Sequence, residues 1–188
     1  MANILIIYYS ANGSTKKMAR LIARGVEMIP NINSVIRTVS NDSKSADNSD
    51  PIVEISDLKE CSGLIIGSPT HFGNMAAPLK LFIDSTTAEW FNGTLTGKPA
   101  GVFTSTSSLH GGQETTLLSM MLPLIHHGMV IAGVPYSEKK LANTKSGGTP
   151  YGPSHVSFNT ETDITDDEKE ICINFGKRIA NLALKLKT

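Results

Sequence analysis

The 188-residue chain has little cysteine, no excess of either charge and no long apolar run. Its two cysteines, Cys61 and Cys172, lack CxxC spacing, so neither a disulfide framework nor a dithiol redox motif is expected. Both read as buried thiols of a cytoplasmic protein. Lys plus Arg is 17 and Asp plus Glu is 17, a formal net charge of +0. Nucleic acid is therefore not expected as a partner, because it calls for a basic stripe. Nor is there the acidic excess that docks a basic redox protein. The longest apolar stretches are about six residues, far below the roughly 20 that span a bilayer, so no membrane insertion is expected. The N-terminus has no charged leader region and reads straight into a strand, so no signal peptide is expected. No group of His, Cys, Asp and Glu has metal-site spacing. With no internal repeat, residues 1–188 read as one domain.

What is present begins at the N-terminus. The apolar run Ile4-Leu5-Ile6-Ile7-Tyr8-Tyr9 stops at Ser10-Ala11-Asn12-Gly13-Ser14-Thr15. Met18, Leu21, Ile22 and Val26 then follow with helical spacing. The pattern is a buried strand, a tight polar loop and an amphipathic helix. Such a loop suits a phosphate: helix N–H groups and the macrodipole favour an anion there. Ser10, Ser14 and Thr15 add hydroxyls, and Gly13 permits close backbone approach. The loop is neither G-x-x-x-x-G-K-[ST] nor G-x-G-x-x-G, so a terminal monophosphate fits better than a triphosphate or a dinucleotide. An ordinary hydroxyl-rich turn with a good helix cap is the plainer alternative.

Further apolar runs read as strands at Ser34–Val39, Gly63–Gly67, Pro99–Phe103 and Met129–Val134. Between them lie helices: one opening near Pro78 with Leu79, Phe82 and Ile83, and one from about Gln113 to His127 that Pro123 should kink. A last helix starts at the capping box Thr165-Asp166-Asp167-Glu168. Five strands alternating with helices predict a doubly wound parallel α/β sheet with helices on both faces. The half-polar second strand suits an edge, as in the flavodoxin-like order 2-1-3-4-5. Ligands in such sheets bind beyond the carboxyl ends of the strands, at the switch point. Three loops should converge there: Ser10–Thr15, Ser68–Asn74 and Ser105–Gly112. Asn41–Asp50 reads as a polar surface loop. Glu138–Glu161 has no clear period and reads as a long ordered loop, functional or used in assembly.

The second loop combines Pro69, Thr70, His71, Phe72, Gly73 and Asn74. The third combines Ser105, Thr106, Ser107, Ser108, Leu109, His110, Gly111 and Gly112, whose glycines leave bare N–H groups at a helix start. Such groups can accept charge developing on a ring system. His126 and His127 lie near a helix C-terminus, where an imidazolium is favoured. Trp90 and Phe91 are expected in a loop after the third helix.

The segments Ile4–Thr15, Gly67–Met75, Gly111-Gly112-Gln113-Glu114, His126-His127-Gly128-Met129 and Gly147–Gly152 together resemble the WrbA-type NAD(P)H:quinone oxidoreductases. The likeness runs from end to end. It implies a flavodoxin-like fold, one bound FMN per subunit and a homodimer or homotetramer. By position it implies phosphate contacts from Ser10 to Thr15, ring contacts from Thr70, His71 and Phe72 and from the Ser105–Gly112 loop, and cofactor binding along Pro69–Asn74 as a whole. It places His126 beside the flavin, as the candidate catalytic residue, and Trp90 at the substrate pocket. Family members often carry Arg where His71 stands.

The implied activity is two-electron reduction of quinones by NAD(P)H. No nicotinamide fingerprint is present, so NAD(P)H and quinone are expected to take turns at one place, with ping-pong kinetics. Two alternatives remain open: a flavodoxin-type one-electron carrier, and an FMN-binding regulatory or scaffold protein.

Overall fold

The computed structural model describes residues 1–40, 50–157 and 163–186. The expected surface loop Asn41–Asp50 lies outside the described residues except for Asp50. Along the chain run β1 (Ala2–Tyr8), α1 (Ser14–Glu27), β2 (Ile32–Thr38), α2 (Ile55–Glu60), β3 (Gly63–His71), β4 (Asn74–Met75) and α3 (Ala77–Asp84). They are followed by α4 (Thr87–Phe91), β5 (Pro99–Thr106), α5 (Gln113–His126), β6 (Val130–Ile131), α6 (Lys139–Asn143), β7 (Ser154–Val156) and α7 (Asp166–Lys185).

The main sheet is parallel, in the order β2-β1-β3-β5-β6. Counting only the five expected strands, this is the predicted 2-1-3-4-5, with β2 at one edge. Two short strands were not expected. β4 pairs antiparallel with the end of β3, and β7 pairs parallel with the end of β5.

The expected fifth strand over Met129–Val134 is shortened to Val130–Ile131 and covers only Pro99 and Ala100 of β5. The edge of β5 is thus shared between β6 at its start and β7 at its end. The cause is the return of the chain near Gly133. A Cβ there would lie 2.0 Å from the Pro150 carbonyl oxygen, and the Val134 N–H donates to that same oxygen at 2.9 Å. The described part of the expected loop Glu138–Glu161, residues 138–157, therefore contains α6 and β7. Trp90 and Phe91 lie in the short helix α4, also unlike the expectation.

Strand side chains alternate between two faces. Ile4, Ile6, Tyr8, Ile65 and Phe103 pack against Met18 and Ile22 of α1 and Ile171, Phe175 and Ile179 of α7. Leu5, Ile7, Leu64, Ile66 and Val102 pack on the other face against Leu58, Leu79, Leu117 and Met120. Each such fully buried side chain contributes about 1.5–3 kcal/mol of burial. The two layers fix the strand ends, and with them the three loops. At the start of α7 the predicted capping box is formed: Thr165 Oγ1 accepts the Glu168 N–H, and Glu168 accepts the Thr165 N–H.

Candidate functional site

A cavity of about 470 Å³ opens beyond the carboxyl ends of β1, β3 and β5. It is bounded by Ser10, Ala11, Asn12, Ser14 and Thr15, by Pro69, Thr70 and His71, and by Ser105, Thr106 and Ser107. The three loops thus converge as the parallel topology requires.

The first loop is self-supporting. Ser10 Oγ accepts the Gly13 N–H at 3.0 Å and the Lys16 N–H at 3.4 Å. Gly13 takes φ 93°, a left-handed conformation that costs glycine little, and it caps α1. Among the described residues, the Ser14 and Thr15 N–H groups have no protein acceptor. The first turn of α1 carries no acidic side chain, so its positive dipole end is uncompensated. Thr15 and Ser105 hydroxyls meet at 2.9 Å, tying the first loop to the third across 90 residues.

The second loop is a tight hairpin. β3 runs on through His71, and Thr70 and His71 pair with Met75 and Asn74. Only Phe72 and Gly73 turn, both at positive φ (53° and 74°), the pattern of a type I′ hairpin. Positive φ at a bulky residue is an outlier, and strain of that kind clusters at ligand sites. The Phe72 side chain is fully exposed at the tip. The His71 ring stands edge-on to Tyr9, with centroids 6.4 Å apart. Asn74 is exposed, and its Oδ1 accepts the Met75 N–H at 2.9 Å.

The third loop is shaped by a residue to which the sequence reading assigned no role. Gln113 is buried, and its Nε2 donates to the carbonyls of Ser108 (3.1 Å) and Leu109 (2.7 Å). Its only sequence signal is adjacency to the Gly111-Gly112 pair. Gly112 caps α5 at φ 92°, and a Cβ there would lie 2.9 Å from Gly73 Cα. The second and third loops therefore touch backbone to backbone. Gly13, Phe72, Gly73, Asn74, Ser108, Leu109, His110, Gly111 and Gly112 shape or flank the cavity without lining it. Ser157 does line it, and comes from the stretch expected to be irregular.

Trp90 and His126 are brought together, but elsewhere. Trp90 Nε1 donates to the His126 carbonyl at 2.8 Å. Both border a second cavity of about 390 Å³, with Lys80, Asp84, Thr86 and His127. His127 is buried, and its Nε2 meets Thr86 Oγ1 at 2.9 Å. Burial pushes its imidazole pKa down, against the raising effect of the Glu89 carboxylate. The 14 residues of α5 rise about 1.5 Å each, so Gln113 and His126 lie about 20 Å apart along its axis. His126, expected beside the flavin, thus does not line the switch-point cavity of its own chain. Among the described residues no three His, Cys, Asp or Glu side chains gather as a metal site, and no helix is long and apolar enough to cross a membrane.

A doubly wound parallel sheet of order β2-β1-β3-β5-β6, with a hydroxyl-rich loop opening a helix at its switch point, defines a flavodoxin-like fold. The family model described as NADPH-dependent FMN reductase matches residues 2–140, and the chain belongs to that family. An NAD(P)H dehydrogenase (quinone) of Solidesulfovibrio magneticus is 33% identical over 201 residues, covering 98% of this chain and 99% of the relative. The crystal structure of a flavodoxin, WrbA-like protein from Agrobacterium tumefaciens superimposes with a TM-score of 0.74 at 23% identity, over 100% of both chains. Flavodoxin 1 from Bacillus cereus gives a TM-score of 0.65 at 19% identity, again over 100% of both. At these identities the solved structures establish the fold.

Proposed function

We propose that this protein is a cytoplasmic, FMN-dependent NAD(P)H:quinone oxidoreductase formed by a single domain over 1–188. The observation that carries the proposal is the switch-point cavity, whose three walls suit the parts of FMN. The open N–H groups of Ser14 and Thr15, with the hydroxyls of Ser10, Ser14 and Thr15, are donors for a monophosphate dianion. The hairpin Pro69–Asn74 and the loop Ser105–Gly112 flank the space for a flat ring. FMN, when bound, supplies the two-electron chemistry. The chain binds and orients it. The Gly111 N–H donates to the Ser108 carbonyl at 3.2 Å, whereas the Gly112 N–H has no protein acceptor among the described residues and would be the donor that stabilises negative charge on a reduced ring.

Ser107, Ser108, Leu109 and His110 are exposed, and none is a large aromatic that would cover the ring. One open face serves NAD(P)H and quinone in turn, hence ping-pong kinetics. The 33% identical relative is named for the same pair of substrates.

The protein works as a homodimer or homotetramer. Leu118, Leu122 and Ile125 form an exposed apolar stripe along α5, continued by Trp90 and Phe91. Exposed apolar patches of this kind mark interfaces. His126 and Trp90 lie on this face, about 20 Å down α5 from the chain's own flavin loops. They act on a flavin only from a second copy, with His126 orienting or protonating the substrate.

The test is anaerobic. FMN-loaded protein is mixed with NADH or NADPH while the visible flavin absorbance is followed. Bleaching that is reversed by a benzoquinone is the expected result, with parallel initial-rate lines at steady state. FMN that binds but is not bleached moves the protein to the one-electron carrier or scaffold reading. Converging lines would remove the shared site.

A further inference from the structure

Glu168 does more than cap α7. A capping carboxylate needs only to reach back one turn and is ordinarily wet. Glu168 is 1% exposed, and its partner His155 is 0% exposed. Its Oε1 accepts the N–H groups of Gly147 (2.8 Å) and Val156 (3.1 Å). Its Oε2 accepts the Thr165 N–H and meets His155 Nδ1, both at 2.9 Å. One buried carboxylate thus gathers the loop at Gly147, strand β7 and the start of α7. Burying a charge is costly unless it is paired and fully hydrogen-bonded, and losing one partner then costs more than the pair contributes.

The pair stands next to the phosphate end of the cavity. In the β5–β7 register His155 is opposite Ser105, so both side chains point to the same face. On that face Ser105 Oγ meets Thr15 Oγ1 at 2.9 Å, and both residues line the cavity. Two residues beyond His155, Ser157 also lines it, with its N–H donating to the Thr106 carbonyl at 2.8 Å. His155 Nε2 is buried and has no partner among the described residues.

We propose that His155 and Glu168 form a positioning pair for the phosphate of FMN: by locking β7 against β5 they hold Ser105, Thr15 and Ser157 in place. The inference rests on the FMN reading above. It makes a distinction that a general stabilising role does not. The pair governs affinity for the phosphate end and leaves affinity for the ring alone.

The experiment measures dissociation constants for FMN and for riboflavin, which has the same ring and no phosphate. The proteins are the full chain and its variants His155→Ala, His155→Asn and Glu168→Gln. The side-chain amide introduced by His155→Asn keeps an N–H donor near the place of Nδ1, so this is the conservative variant and the one best able to fold. His155→Ala and Glu168→Gln should weaken FMN binding by about tenfold or more and riboflavin binding by less than about threefold. His155→Asn should recover most of the FMN affinity. Equal weakening of both ligands overturns the proposal, as does unchanged FMN affinity in His155→Ala. FMN affinity in His155→Asn as poor as in His155→Ala overturns the pairing with Glu168. Wild-type protein that binds neither ligand overturns the FMN reading and this inference together. Wild-type binding with unaffected variants overturns the inference alone.

Discussion

Gly112→Ala is the substitution whose consequence can be worked furthest from the structure, because Gly13 supplies its control. Both glycines cap a helix of the site at nearly the same left-handed φ, 92° for Gly112 and 93° for Gly13. Alanine at either carries the cost of a left-handed non-glycine residue, about 1–2 kcal/mol. For a chain of this size that lowers Tm by about 2–8 °C. There the likeness ends. A Cβ on Gly13 meets nothing within 4 Å, whereas one on Gly112 lies 2.9 Å from Gly73 Cα and 3.2 Å from Thr115 Oγ1. Gly73 is backbone, in a turn already held at positive φ, so it can yield only by moving the hairpin Thr70–Met75 away from α5. Gly112→Ala should therefore lose more stability than Gly13→Ala. It should also weaken FMN and riboflavin alike by about tenfold, since the displaced wall faces the ring. Thermal unfolding of both apo variants and flavin fluorescence titration measure the two effects. Gly112→Ala with the stability of Gly13→Ala and wild-type flavin affinity would refute the claim that the two loops brace each other.

Ser10→Ala withdraws the acceptor of the Gly13 N–H, a loss of about 1–3 kcal/mol, and should raise the FMN dissociation constant in fluorescence titration; wild-type affinity would show that the loop is held by other means. Phe72→Asn converts the hairpin turn to Asn-Gly, the pair best suited to two positive φ values, and should raise Tm by about 1–4 °C while altering quinone turnover; a fall in Tm would mean that Phe72 packs usefully. Leu122→Glu puts a charge in the middle of the apolar stripe and should dissociate the oligomer in sedimentation runs, with quinone turnover lost and FMN retained; an active monomer would return His126 and Trp90 to purely structural roles. Glu168 predicts an acid limb. Burial raises its pKa, but bonds from His155 and from the Thr165 and Val156 N–H groups outweigh this and hold the carboxyl below its ordinary 4.5. A carboxyl lowered on folding stabilises above the unfolded value, and that stability is lost as pH falls below about 4.5 through the lower folded value. Denaturant midpoints from neutral pH downward should fall along that limb in the wild type and be flatter in Glu168→Gln; identical profiles would contradict the pairing.

Local patterns carried a large part of this protein in the sequence itself. The run Ile4–Tyr9 ending at Ser10–Thr15 marked a buried strand and a polar turn opening a helix, because apolar runs and hydroxyl-rich turns depend on neighbours in the chain. The order of strands followed from the polar face of Ser34–Val39 and from the rule that parallel strands alternate with helices. The capping box at Thr165–Glu168 was legible because its partners lie three residues apart. What had no local signature was decided by tertiary structure. The split of the fifth strand into β6 and β7 depends on Pro150 reaching Gly133. The organising role of Gln113 depends on where the carbonyls of Ser108 and Leu109 come to rest. The distance of His126 from the switch-point loops is set by the length of α5. Glu168 shows both sides at once: its bond to Thr165 could be read along the chain, whereas its burial against His155 required β7 to return to the edge of β5. Hydrogen bonds and burial between residues far apart in sequence depend on the packed arrangement of the layers, and periodicity along the chain does not encode them.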